Sequence, residues 1–150
     1  MYDPADVALY FGAVIGMPRV FAGSIRVLLV EDSLLLAERI AEVLRYLPGI
    51  DLVGVVDTEE AAVAAIGRQR VDIVVLDLHL KEGTGFGVLR AIGVFSERPR
   101  VIVLTNYDLP EYKEAAMSLG ATAFLDKARD FFRLPDLLAT MTSEPRVGVS

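Results

Sequence analysis

VDIVVLDLHL, residues 71–80, decides the reading of this chain. Its opening run of Val, Ile and Leu with a single polar interruption suits a strand buried on both faces. Asp77 ends that run, where the strand should stop. Working outward, four more β-branched runs stand at regular intervals: IRVLLV (25–30), IDLVGVV (50–56), RVIVL (100–104) and TAFL (122–125). Between them lie stretches of helical spacing. The first places Leu35, Ile40, Val43, Leu44 and Leu47 on an apolar stripe, with Ser33 or Asp32 as N-cap. The second carries Ala62, Val63 and Ile66 after Thr58, and the third Phe86, Val88, Leu89 and Ile92. The fourth starts near Pro110 and ends at Gly120, and the fifth carries Leu134, Leu137, Leu138 and Met141. Five strand–helix units predict an α/β fold with a parallel sheet covered on both faces, doubly wound. For five units the flavodoxin-like (βα)5 strand order 2-1-3-4-5 leads, with ligands outside the carboxyl ends of the strands.

Those ends are where the polar residues fall. Glu31 and Asp32 follow the first strand, Asp77 the third, Thr105 the fourth, and Lys127 comes just after the fifth. The crevice between the first and third strands is the topological switch point of this order. Three carboxylates, a hydroxyl and an ammonium should therefore share one shallow pocket. Like charges there raise one another's pKa, and a divalent cation relieves them. Mg2+ takes one or two carboxylates, waters and a phosphate oxygen. With it, Asp77 can act as a carboxylate nucleophile toward a phosphoryl group. Charge neutralisation by the ion, by the Thr105 hydroxyl and by the Lys127 ammonium is most of what such a transfer needs.

Composition narrows the alternatives. Apolar residues make up 53% of the 150, enough for a sizeable core. The formal charge of −6, from 21 acidic and 15 basic residues, argues against binding nucleic acid through a basic face. With no cysteine and one histidine, thiolate sites and histidine-rich metal sites are excluded, so any metal is oxygen-ligated. The most membrane-like stretch, residues 7–17, falls short of the roughly 20 apolar residues of a spanning helix. It follows Asp3 and Asp6 rather than a basic segment, so it is not read as a signal peptide. A cytoplasmic protein without membrane contact is expected. Residues 1–24 stand outside the alternation and are expected to be a loosely ordered extension. Residues 25–142 form the domain, and 143–150 a short tail with no output domain after it.

At LLVEDS, VVLDLHL, VIVLTN and GATAFLDK the sequence resembles the receiver domains of two-component response regulators, over about residues 24–141. Together with LKEGTGFGVLR and LTNYDLPEYKE, it looks like the stand-alone, chemotaxis-type receivers. The resemblance implies that Asp77 is the phosphoacceptor and that Asp32 and Asp77 bind Mg2+ directly. It implies the His79 backbone carbonyl as a further ligand and Glu31 acting through water. Thr105 and Lys127 would contact the phosphoryl group, and Phe124 stands where the family has its switch aromatic, coupled to Thr105. Such a domain is a signalling phosphoacceptor that catalyses its own phosphorylation and dephosphorylation rather than an enzyme on an external substrate. Its implied partners are a histidine kinase or phosphotransfer protein and a downstream protein, with no direct nucleic-acid contact. The family also admits a phosphorylation-dependent homodimer.

Three departures stand out. Lys81 occupies the place of a common proline, and Ala128 follows Lys127 where the family commonly has a cis proline. ARDFFRLPD then delays the fifth helix. Taken singly, Glu31, Asp32 and Asp77 would read as helix caps and Phe124 as a half-buried aromatic. Lone His79 reads as a backbone ligand with its ring toward solvent, beside Tyr107, where it could tune dephosphorylation. Gly83, Gly85 and Gly87 read as loop geometry rather than a nucleotide cradle. Two other functions stay open. An aspartyl-nucleophile phosphatase would want a second aspartate at position 79 and a cap insertion. A constitutive interaction domain would keep the pocket but lose phosphorylation.

Overall fold

The structure, a computed structural model, describes residues 24–142. The expected extension and tail lie outside the described residues, Ser24 excepted. Five strand–helix units follow one another. They run β1 (Ile25–Val30), α1 (Leu34–Tyr46), β2 (Ile50–Val56), α2 (Glu59–Arg68), β3 (Ile73–Leu76), α3 (Gly85–Ile92), β4 (Arg100–Thr105), α4 (Pro110–Ser118), β5 (Ala123–Asp126) and α5 (Leu134–Thr142). A 3-10 turn, Phe131–Arg133, precedes α5. The sheet is parallel throughout, in the expected order β2-β1-β3-β4-β5.

Strand alternation divides the core in two. Val27 and Leu29, Ile73 and Val75, and Ile102 and Leu104 face α1 and α5, meeting Ile40, Leu44, Leu134 and Leu138. Their neighbours Leu28, Val30, Val74, Leu76, Val101 and Val103 face α2, α3 and α4, meeting Ala62, Val88, Leu89 and Ala116. Both faces being covered explains the near-continuous apolar strands. Each fully buried leucine among them contributes about 2 kcal/mol relative to exposure.

The helices start on local signals. Ser33, rather than Asp32, caps α1, its hydroxyl accepting from Leu36 N at 3.4 Å. Thr58 caps α2 through Ala61 N at 3.1 Å, with Glu59 and Glu60 in the first turn. Pro110 opens α4, and Gly120, at φ +102°, lies just past its end. Leu35 departs from its expected stripe: it is 62% exposed, and the buried face of α1 is Ala37, Ile40, Ala41, Val43 and Leu44. Its turn begins at the carboxyl rim, where the strand layer that would cover it has ended. Among the described residues, no helix is long and apolar enough to cross a membrane.

Candidate functional site

Ladder hydrogen bonding continues one residue past β1 and β3. Glu31 N donates to Val56 O at 2.9 Å, and Asp77 N to Val30 O at 3.0 Å. These bonds fix two acidic residues at the carboxyl rim beside the switch point. Both are nearly closed to solvent, while Asp32 is the more open of the three acids. One oxygen from each of Glu31, Asp32 and Asp77 lies within 4.8 Å of the others.

β5 supplies the counter-charge. Thr105 pairs with Asp126, and Lys127 N donates to Thr105 O at 2.9 Å, so the Lys127 side chain leaves the rim at a fixed point. Its Nζ stands 2.6 Å from Glu31 Oε1 and 2.6 Å from Asp77 Oδ2. Burial alone would lower the Lys127 pKa, but the bonds to Asp77 and Glu31 outweigh it and hold the ammonium more firmly protonated than an ordinary lysine. Burial raises the Glu31 pKa, and the bonds from Lys127 and from Ser33 N (3.0 Å) offset only part of that.

Thr105 is fully buried, and its Oγ1 accepts from Tyr107 N at 3.2 Å. His79 N donates to the other Asp77 oxygen, Oδ1, at 3.3 Å, while the His79 side chain is exposed. The two loops so anchored meet through their rings, with His79 and Tyr107 centroids 5.6 Å apart. Tyr112 and Phe86 extend the contact at successive spacings of 6.0 Å. This aromatic series lines a cavity of about 150 Å3 beside the acidic cluster, together with Leu78 and Thr84. Its members come from two segments far apart in sequence, the loops after β3 and β4 and the starts of α3 and α4, which hides it from any periodicity reading. Phe124 is half-buried against the core on the α2–α4 face.

The departing residues keep their places by hydrogen bonding. Lys81 N donates to Asp57 O at 3.0 Å. After Lys127, Asp126 Oδ1 accepts from Ala128 N (2.8 Å) and Arg129 N (2.9 Å), and Asp130 Oδ2 accepts from Asp126 N (3.0 Å). No cis peptide bond occurs among the described residues.

The donor set fits a hard divalent cation. Against the three clustered carboxylates stands one ammonium, and two of those carboxylates are buried. Negative charge in excess, presented by hard oxygen ligands, is what Mg2+ takes from a protein. Glu31, Asp32 and Asp77 are the residues that would hold it.

The family described as the response regulator receiver domain matches residues 27–139. Among curated proteins, the chain is similar to protein-glutamate methylesterase/protein-glutamine glutaminase 1 of Syntrophus aciditrophicus. The two are 33% identical over 132 residues, covering 83% of this chain and 38% of that protein. The chain thus spans well under two thirds of the length of that curated relative. Among solved structures it resembles the signal receiver domain of a putative Luxo repressor protein from Vibrio parahaemolyticus. Identity there is 29% and the TM-score 0.72, over 79% of this chain and 90% of that one. It also shares its fold with a DNA-binding response regulator of the LuxR family from Staphylococcus aureus, at 21% identity and TM-score 0.74, covering 79% and 99%. With outputs so diverse among similar proteins, the expectation that no nucleic acid is contacted finds no support from kinship.

Proposed function

This chain belongs to the response regulator receiver domain family, and from that premise we propose that Asp77 accepts a phosphoryl group from a phosphohistidine. The donor is a histidine kinase or phosphotransfer protein, and the signal passes to a downstream protein partner. One observation above all supports this reading: a single ammonium, Lys127 Nζ, 2.6 Å from both Asp77 and Glu31 at the switch point of the sheet.

An Asp77 carboxylate oxygen attacks phosphorus. The P–N bond breaks with its electron pair on the departing imidazole nitrogen, and an acyl phosphate forms. Lys127 Nζ, released from the Asp77 carboxylate, then neutralises a phosphoryl oxygen. The Thr105 hydroxyl accepts from Tyr107 N and turns its own hydrogen to a second oxygen. Bound Mg2+ supplies charge neutralisation to the carboxylates and the phosphoryl group. Water later attacks phosphorus, releasing inorganic phosphate and restoring the carboxylate. The gain of charge at Asp77 biases Thr105 and Phe124 between two arrangements, which the partner reads.

Intact-mass measurement after incubation with acetyl phosphate and Mg2+ tests the assignment. A single phosphoryl adduct is expected, dependent on Mg2+ and absent from Asp77→Asn. Absence of both adduct and beryllofluoride binding in the unaltered chain would overturn it.

A further inference from the structure

The loop from Leu78 to Thr84 separates the acceptor from α3, and its own residues do not hold it alone. Thr84 N donates to Glu59 Oε1 at 3.0 Å, across 25 residues of sequence. Glu59 N donates to Glu82 O at 3.0 Å, and Thr58 bridges Glu82. Thr84 in turn bridges His79, whose N–H donates to Asp77 Oδ1. A short chain of backbone contacts therefore runs from the Glu59 carboxylate to the acceptor.

Gly83 in the loop and Gly87 in the first turn of α3 both leave room for that carboxylate. A Cβ at Gly83 would stand 2.6 Å from Glu59 Oε1, and one at Gly87 would overlap the carboxylate itself. α3 has no acidic residue in its first turn, and Thr84 Oγ1 satisfies Gly87 N at 3.1 Å. Glu59 lies in the first turn of α2 and so places one negative charge near the N-termini of two helices, where orphan N–H groups attract it.

We propose that Glu59 is a positioning residue for phosphorylation, a carboxylate clasp that holds the loop from His79 to Thr84 in register with Asp77. The proposal rests on the phosphoacceptor reading.

Gly87→Ala separates positioning from stability. The three atoms nearest the added methyl are all in the carboxylate at the far end of the flexible Glu59 side chain, and alanine favours a helix over glycine. Melting temperature should be unchanged or higher, yet the Mg2+ concentration for half-maximal phosphorylation by acetyl phosphate should rise on the order of tenfold, as for lost outer-shell support. Glu59→Ala should raise that Mg2+ concentration likewise, with some loss of stability, and Glu59→Gln, whose amide oxygen still accepts from Thr84 N, should restore most of the Mg2+ dependence. In the Glu59→Ala background, Gly87→Ala should add nothing. Amide exchange without Mg2+ gives a second readout, with faster exchange at His79 and Thr84 expected in Gly87→Ala and Glu59→Ala. If the unaltered chain takes up phosphate but folded Glu59→Ala and Gly87→Ala match it in Mg2+ dependence and exchange, the clasp is overturned alone. If the unaltered chain takes up none, the phosphoacceptor reading falls and the clasp's role in phosphorylation with it.

Discussion

The turns after β3 and after β5 flank the same acidic cluster, yet they draw on outside support to different degrees. After β5, the chain folds back on itself. Asp126 receives Ala128 N and Arg129 N, Asp130 receives Asp126 N, and Asp130 N returns to Asp126 O at 2.8 Å. Five consecutive residues thus shape the turn that aims Lys127. After β3, the turn's own bonds, His79 N to Asp77 Oδ1 and Gly85 N to Leu78 O, are joined by restraint from elsewhere: from Glu59 and Asp57 at the β2–α2 junction, with Gly83 and Gly87 leaving room for the Glu59 carboxylate. A local turn needs the right residues within reach of one another. A remotely held turn needs the whole fold in place first, and it transmits any disturbance back into that fold.

The turn after β3 is easiest to break at Gly85. A Cβ there would overlap the Asp77 carbonyl oxygen and stand 2.8 Å from Leu78 Cα, backbone that no rotamer change can clear. Gly85→Ala should displace α3 from the rim and cost about 2–3 kcal/mol, a typical overpacking penalty. Urea unfolding measures the loss, and it should come with loss of the phosphoryl adduct. A silent Gly85→Ala would mean that the backbone at Asp77 and Leu78 can move aside without disturbing α3 or the site.

The turn after β5 should yield a smaller, confined effect. The hydrogen bond from Asp126 N, and then the charge of Arg129, hold the Asp130 carboxyl below the ordinary aspartate pKa of 3.8. A depressed folded pKa contributes stability above 3.8 that is lost as the pH falls through the folded value. Asp130→Ala should cost about 0.5–1 kcal/mol at neutral pH, one partly exposed hydrogen bond's worth. It should also lose less stability than the unaltered chain on descending into that acid range. Equal acid sensitivity in thermal melts of both would remove Asp130 from the account of this turn.

The same contrast explains what could be read from sequence. The strand order followed from five apolar runs, because a strand buried on both faces advertises itself in consecutive residues. Glu31, Asp77, Thr105 and Lys127 were legible because each stands at a strand end, and the topology carries strand ends to one rim. Gly83, Gly85 and Gly87 read as loop geometry, but only Gly83 lies in the loop: Gly85 and Gly87 belong to the first turn of α3, and the Glu59 carboxylate that crowds Gly83 and Gly87 leaves no mark in the local sequence. Glu59 in a sequence is one more acid in a helix's first turn. Only folding brings it against α3. Leu35 was misplaced because helical spacing marks a stripe without saying where the sheet beneath it stops.

Arg129 draws the comparison to its finest point, since it extends the turn after β5 beyond itself. Its guanidinium pairs with Asp108 on the β4–α4 loop at 2.9 Å and with Asp130 at 3.6 Å. Hydrogen bonding to Asp108, and then to Asp130, raises its pKa above the ordinary arginine value. The side chain is well exposed, however, so water and salt screen both pairs while its own rotamer freedom opposes them. Arg129→Ala should therefore leave the melting temperature nearly unchanged at low salt and indistinguishable at high salt. Its Lys127-dependent phosphorylation should persist, because Asp126 still receives both backbone N–H groups. Were Arg129→Ala to cost as much as Asp130→Ala, with a deficit that survived high salt, the turn after β5 would also be held from outside. The distinction between a self-shaped turn and a clasped one would then collapse.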